Sequence, residues 1–188
     1  MVMVLAGAFL LLVAALVMGS LRSVELPPYT PTPPAPGVVG DSLVGPALYT
    51  IDATNNSAWQ RFDFDVNSLV TTGQGWDIGF HRNHVMAGPG AAIADLGAVP
   101  FDSVLEAPAE GYRPNGPGKW DSNPAVGKWY DYSLISHLLT SRRHIYAVRT
   151  ADGHYAKIEL INYYCMGVGT ACLTFRYAYQ GDGTRRLE

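Results

Sequence analysis

Two pairs of side chains have the types and spacing that metal binding or acid–base chemistry requires. His81 and His84 are three residues apart, a spacing that resembles that of zinc ligands. On one strand, however, residues i and i+3 point to opposite faces, so joint ligation would need a bulge. Asp63 and Asp65 are two residues apart, so they are expected to share a strand face. They could form a carboxylate pair or be part of an exposed polar surface. We therefore predict no metal site.

Motifs of catalysis and of phosphate binding are absent from the sequence. Gly73–Gly75 and Gly167–Gly169 lack the spacing, and the following helix, of a phosphate-binding loop. There is no nucleophile elbow, no zinc-protease helix and no recognisable grouping of Ser, His and Asp. The sequence therefore predicts no catalytic residues and a protein that is not an enzyme.

The two cysteines are placed for a disulfide. Cys165 and Cys172 bracket six residues between two strong strand patterns. Directly opposed residues of an antiparallel hairpin have Cα atoms about 4.5–5.5 Å apart, within the range that a disulfide spans. We predict an oxidised pair, which would place the domain in the periplasm, with two buried free thiols as the alternative.

From Asp41 onward the sequence pattern is that of an all-β domain. Aromatic and β-branched residues concentrate in short segments, several of which alternate with period two. The predicted strands are Ala47–Ala53, Trp59–Asp65, Trp76–His81, Arg143–Thr150, His154–Asn162 and Cys172–Gln180. Asp152–Gly153 predicts a hairpin turn, because this dipeptide favours tight turns between strands. Tyr132–Leu139 is the one segment that could form a short helix, and residues 106–127 predict a long loop.

An apolar segment and a proline-rich segment precede this domain. Residues 1–21 contain no charged side chain, and as a helix they would extend about 31 Å, enough to cross a bilayer core. A secretory signal peptide is the alternative, but no Lys or Arg precedes the apolar run. Residues 22–40 contain six prolines and predict an extended spacer. We therefore expect a transmembrane anchor over 1–21, a linker over 22–40 and a β-domain over 41–188.

The charge balance excludes one large class of partners. Thirteen basic and sixteen acidic side chains give a formal net charge of −3, and the sequence has no basic stripe. Because nucleic-acid binding depends on concentrated positive charge, we exclude nucleic acid as a partner.

Four strings in the β-domain resemble the HmuY family. They are Gly75–Arg82 (GWDIGFHR), Trp129–Tyr132 (WYDY), Tyr146–Ile158 (YAVRTADGHYAKI) and Leu173–Gln180 (LTFRYAYQ), and the resemblance runs in order from about Tyr49 to Gln180. It implies an all-β extracytoplasmic domain with an open mixed sheet and protruding loops. Members of the family are typically lipoproteins, and the best-known members capture haem.

The resemblance also implies where haem ligands would lie. Such sites use two axial side chains, His with His or Met with Met, on protruding loops. His137 matches the second ligand region, whereas Ala87–Lys128, which covers the first, contains neither His nor Met. A partner for His137 would have to be His84, Met86 or Met166, and we rank Met166 below Met86 because a disulfide would restrict its loop.

In the first ligand region, Tyr112 and Lys119 are the only substitutes, so we expect no tight low-spin haem site and no cofactor. The leading hypothesis is a non-enzymatic accessory or scaffolding subunit of a larger bacterial membrane complex, respiratory or photosynthetic. Its partners would be integral membrane proteins and, through residues 1–21, membrane lipid. The alternative is a membrane-tethered protein that binds haem or another tetrapyrrole. Both hypotheses expect a single-pass protein of the bacterial inner membrane with its β-domain in the periplasm.

Overall fold

The computed structural model describes residues 2–21, 40, 42–71, 75–117, 120–166 and 169–188. One helix, α1 (Val2–Leu21), precedes a domain made of strands, and the all-β class predicted from the sequence is confirmed. The linker predicted over residues 22–40 lies outside the described residues except for Gly40.

Helix α1 carries no charged side chain. Its side chains are described for residues 3–19, and the large apolar ones from Met3 to Met18 are exposed. No helix in the described part of the chain is long and apolar enough to cross a membrane. The transmembrane anchor expected over residues 1–21 is therefore not confirmed and stays a prediction.

Eleven strands are present in the described residues, and most of them are short. They are β1 (Leu43–Asp52), β2 (Gln60–Asp63), β3 (Ser68–Val70), β4 (Ile78–His81), β5 (His84–Ala87), β6 (Ala92–Asp95), β7 (Tyr130–Tyr132), β8 (Leu139–Ser141), β9 (Ile145–Arg149), β10 (Tyr155–Tyr164) and β11 (Thr170–Gln180). A short 3-10 helix, Phe101–Ser103, follows β6. The hairpin turn predicted at Asp152–Gly153 joins β9 to β10.

The strands form three sheets. Five strands pair in the order β1-β11-β10-β9-β6, four in the order β3-β2-β4-β5, and β7 pairs with β8 alone. Every neighbouring pair among the described strands is antiparallel, so the mixed sheet that the resemblance implied is not found. Parallel neighbours need long crossover connections, whereas most of these strands follow one another through tight turns.

The core lies between the five-stranded and the four-stranded sheets and is largely aromatic. Phe62 of β2 meets Phe175 of β11 edge-on at 5.4 Å, and Phe80 of β4 stacks on the same ring at 5.3 Å. Tyr177 of β11 continues this row and is fully buried. Alternate side chains of β4 and β5 face this core, so the remaining ones are left on the outer face of the sheet.

Tyr132–Leu139 is not a helix but the tip of the β7–β8 hairpin. Tyr132 pairs with Leu139, and the chain reverses between them. His137 there has a φ of 56°, and its N–H donates to the Ser133 carbonyl at 2.8 Å. A left-handed residue ends a helical turn, and strands of three residues are too short to show a period-two pattern.

The loop predicted over residues 106–127 contains no strand in its described part, as expected. It is nevertheless fixed to β5 by two asparagines. The Asn115 side chain bonds both the N–H and the carbonyl of Ala87 at 2.8 Å, and the backbone N–H of Asn123 donates to the Val85 carbonyl at 2.9 Å. The loop therefore covers the edge strand β5 with satisfied backbone groups.

Candidate functional site

The β7–β8 hairpin presents an exposed histidine whose orientation is fixed by a tyrosine. The Tyr132 hydroxyl lies 2.5 Å from Nδ1 of His137, and the two rings are in contact. Where Nδ1–H donates to the hydroxyl oxygen, the lone pair lies on Nε2, which is the nitrogen left for a ligand. A histidine held in this way resembles a metal-binding histidine, whose second nitrogen is usually held by a hydrogen-bonding partner.

Three large apolar side chains precede this histidine in the sequence and are exposed. Leu134 and Ile135 are 77% and 61% exposed, and the Tyr132 ring is 50% exposed. We call these three residues the apolar tip. Exposed apolar clusters on folded domains commonly mark binding surfaces. The tip and His137 together can hold a flat apolar molecule that carries a metal.

His84 and Met86 lie on another element and do not join His137. Both are half-buried on the outer face of β5. The Nδ1 atom of His84 is 3.3 Å from the Ser122 hydroxyl, and Met86 packs over Gly79 of the neighbouring strand. Among the described residues, the structure records no contact between His137 and either side chain.

The remaining ligand candidates differ in their positions. Met166 is 84% exposed, on the loop that follows β10. That loop adjoins the β7–β8 hairpin, since the N–H of Leu139 donates to the Tyr164 hydroxyl at 2.6 Å. Tyr112 lies elsewhere, beneath the guanidinium group of Arg149 at 5.2 Å. Lys119 lies outside the described residues.

His81 and His84 are direct cross-strand partners, contrary to the expectation that they face opposite ways. The expectation assumed one continuous strand, but the chain reverses after His81 through the two residues Arg82 and Asn83. Opposed residues of a hairpin share a face, and the two imidazole rings are 6.4 Å apart.

Asp63 and Asp65 do not share a strand face, because β2 ends at Asp63. The Asp63 carboxylate accepts from the N–H of Asp65 at 2.9 Å and shapes the turn instead. Asp77 stabilises the same turn by accepting from the N–H of Phe64 at 2.9 Å. Burial, opposed by the hydrogen bond from Phe64 and aided by the charges of Asp63 and its neighbours, raises the pKa of Asp77 to about 8.

A cluster that the sequence did not predict joins this turn to the β9–β10 hairpin. Ligand atoms of Asp65, Asp152 and His154 lie within 4.8 Å of one another. The Nδ1 atom of His154 is 2.8 Å from the Tyr179 hydroxyl and 3.1 Å from Asp152, and Tyr179 donates to Asp65. These groups satisfy one another, so the cluster is a hydrogen-bonded network between two turns.

The structure contains the disulfide between Cys165 and Cys172 that the sequence predicts, with Cα atoms 4.8 Å apart. It closes the loop between β10 and β11, and Met166 lies in that loop. Leu173 follows Cys172 into the core, where it is fully buried. The bridge therefore ties this loop to β11, most of whose residues are buried.

Comparison with known protein families identifies the family of this chain. A family model described as "HmuY protein" matches residues 55–177. The chain belongs to the HmuY family. The resemblance carried by Gly75–Arg82 and the later strings is thus confirmed. No individually curated protein matches the chain.

Three solved structures share the fold of this HmuY-family chain. The apo HmuY analog TFO of Tannerella forsythia is 15% identical with a TM-score of 0.62, covering 76% of this chain and 98% of its own. A protein of Bacteroides vulgatus, described provisionally as an HmuY-like haem-binding protein, is 20% identical with a TM-score of 0.60. The match covers 76% of this chain and 97% of that protein. Apo PinO of Porphyromonas gingivitis is 13% identical with a TM-score of 0.60, covering 74% and 97%. At these identities the likeness shows the fold.

Two features of the candidate site are not evident from the sequence. Tyr132 lies at the start of the segment that could form a short helix, so its contact with His137 could not be expected. The network of Asp65 and His154 joins residues 89 positions apart, and only the polar residues that flank Gly153 hinted at it.

Proposed function

We propose that this protein is a non-enzymatic haem-binding protein of the HmuY type, with His137 as a ligand of the haem iron. The observation that carries the proposal is the exposed imidazole of His137, whose Nδ1 is held 2.5 Å from the Tyr132 hydroxyl beside exposed apolar side chains. Family membership supports it, as does the likeness to the Bacteroides vulgatus protein, which is described provisionally as haem-binding.

The residues of the β7–β8 hairpin fit one face of a haem. A bound haem would supply an iron that an imidazole nitrogen can ligate. Tyr132 would fix the ring of His137 and leave Nε2 for that iron, and such a partner also raises the basicity of a ligating histidine. Leu134 and Ile135 offer the apolar surface that a porphyrin ring needs.

Exposure favours Met166 over Met86 and His84 as a second ligand, which reverses the ranking drawn from the sequence. Met166 is 84% exposed on the loop that follows β10, whereas His84 and Met86 are half-buried on β5 and Met86 packs over Gly79.

A haemin titration tests the role of His137. We expect the full-length protein in detergent micelles to bind haemin with a saturable shift of the Soret band, corrected for empty micelles. His137→Ala removes the imidazole, and we expect an affinity at least about tenfold lower, as for the loss of supporting groups at metal sites. His144→Ala is the control, since His144 pairs with Asp95 elsewhere. Equal affinities of His137→Ala and the wild type would exclude His137 as the ligand.

We also propose that the β-domain lies outside the cytoplasm and is attached to a membrane through residues 1–21. The disulfide supports the first part, because disulfides persist in oxidising compartments. The exposed apolar side chains of α1 support the second, since they gain most by leaving water. Reporter fusions at the C-terminus, active only outside the cytoplasm, would test the location.

A subunit of a larger membrane complex remains the second candidate function. One observation favours it: Ile135 of the apolar tip lies beside Gly19 of α1, where an added Cβ would come within 2.6 Å of it. The two apolar surfaces together could contact an integral membrane protein. None of the comparisons supports this hypothesis. Co-purification of a stoichiometric partner in mild detergent would favour it over haem binding.

A further inference from the structure

The β4–β5 hairpin places two histidines opposite each other on the outer face of the four-stranded sheet. His81 and His84 are Cα partners in the ladder, joined through a turn of two residues. Their rings are 6.4 Å apart and inclined by 30°. A sequence spacing that separates side chains on one strand therefore brings them together across a tight turn.

His81 has a nitrogen lone pair that no described group uses. Its Nε2 lies 2.9 Å from the carbonyl oxygen of Asn56. Because a carbonyl oxygen only accepts, Nε2 carries the proton and Nδ1 carries the lone pair. The Nδ1 atom is buried and has no hydrogen-bond partner among the described residues, although most buried polar atoms have one.

His84 offers a second lone pair beside the first. Its Nδ1 is 3.3 Å from the Ser122 hydroxyl; where Nδ1–H donates to the hydroxyl oxygen, the lone pair lies on Nε2, which has no hydrogen bond to the described residues. Neutral imidazole is the form in which histidine binds metal ions.

The side chains around His81 and His84 indicate which class of ion would bind there. Trp120 stacks on His81 at 4.4 Å, and Trp59 lies 5.5 Å away on another side. The guanidinium of Arg82 turns to Asn56 and Thr170, and no carboxylate contacts either imidazole in the described residues. Calcium and magnesium need oxygen ligands, whereas imidazole nitrogens suit Cu²⁺ and Zn²⁺.

We propose that His81 and His84 together chelate a divalent transition-metal ion of the Cu²⁺ or Zn²⁺ type, with water completing its coordination. The site is separate from the haem site proposed at His137 and does not depend on it. It explains why a buried imidazole in an aromatic environment keeps an unpaired nitrogen.

The two tryptophans beside the pair make the site measurable without any activity. Cu²⁺ quenches nearby indoles, so we expect saturable, equimolar quenching when Cu²⁺ is added to the full-length protein in detergent micelles. We expect Zn²⁺ to compete and Mg²⁺ to have no effect. Linear, unsaturable quenching by Cu²⁺ would overturn the proposal, because it would mean collision rather than binding.

Three histidine variants locate the ion. His84→Asn keeps an amide near Ser122 but removes Nε2, and we expect Cu²⁺ binding at least about tenfold weaker, as when metal sites lose a supporting group. His144→Asn is the matched control, since His144 pairs with Asp95, and we expect unchanged binding. His154→Asn disrupts the network with Asp65 and Asp152, the rival metal cluster.

The outcomes separate the two clusters. Loss of Cu²⁺ binding in His84→Asn but not in His154→Asn supports the proposal. Loss in His154→Asn with full binding in His84→Asn assigns the ion to the acidic network and overturns it. Equal binding in all variants also overturns it. His81→Asn is a second variant for the same site, and its unfolding midpoint shows whether the hairpin still folds.

Discussion

Two hairpins of this protein carry histidines, and they differ in what surrounds the imidazole rings. At the β4–β5 hairpin, His81 is 3% exposed and lies between two tryptophans. At the β7–β8 hairpin, His137 is exposed, has one tyrosine as its partner and follows two exposed apolar residues. The ion site proposed at the first hairpin is partly buried, whereas the haem site proposed at the second is open to solvent.

Under the two proposals, burial rather than residue type decides what each histidine binds. The two hairpins are close together, since Trp129 donates to the Asn83 carbonyl at 2.9 Å and Asn83 donates to the Tyr130 hydroxyl at 2.8 Å. β4 belongs to a sheet that packs on the core, whereas β7 and β8 form a sheet of their own. The exposed tip of that hairpin can present its side chains to a large ligand.

The largest effect that we expect is a pH dependence of unfolding, and it arises in the sheet that carries His81 and His84. The pKa of Asp77, the residue before β4, is raised to about 8 in the folded protein, mainly by burial, against about 3.9 in an unfolded chain. The folded state therefore retains a proton that the unfolded state releases between these values. The free energy of unfolding should fall as pH rises through this range, by up to about 1.4 kcal/mol per pH unit.

Asp77→Asn should remove this pH dependence, because the amide oxygen can still accept from Phe64 and cannot ionise. Denaturant unfolding at pH 5, 7 and 9 measures it. At pH 9 we expect the free energy of unfolding of the variant to exceed that of the wild type by at least about 1.4 kcal/mol, which corresponds to a tenfold difference in proton affinity. Asp182→Asn, at an exposed position, is the control. Parallel curves for Asp77→Asn and the wild type would show that the Asp77 carboxyl ionises normally.

A smaller effect should appear at the exposed histidine when its tyrosine partner is changed. Tyr132→Phe keeps the ring of the apolar tip and removes the hydroxyl that holds Nδ1 of His137. We expect haemin affinity to fall about tenfold, the usual effect of losing such a partner. Tyr155→Phe, at the far end of β10, should leave the affinity unchanged. If both variants bind haemin as the wild type does, the hydroxyl does not orient the histidine.

Of the eleven strands in the described residues, the sequence predicted six and missed five short ones, which are β3, β5, β6, β7 and β8. β10 and β11 lie within two residues of the predicted segments, because ten or more residues show a clear pattern of β-branched and aromatic side chains. β7 and β8 have three residues each, and there the sequence suggested a helix. Short strands exist because of their partners across the sheet, which a local pattern does not show.

The candidate site divides in the same way. His137 was found through the family resemblance, and the Cys165–Cys172 bridge through its spacing between strong strands. The pairing of His81 with His84 was missed, because it depends on a turn at Arg82 and Asn83 without the Gly that usually marks tight turns. Arg82 has a φ of 52°, a conformation set by the folded sheet rather than by local preference.

Replacement of the proposed iron ligand by free imidazole tests the central claim most directly. His137→Gly suits this test, since glycine readily adopts the φ of 56° found at this position. We expect the full-length variant to lose the haemin Soret shift and to regain it when imidazole is added. In the presence of imidazole, the haem should remain with the protein through gel filtration. A variant that binds haemin like the wild type without imidazole would contradict the account.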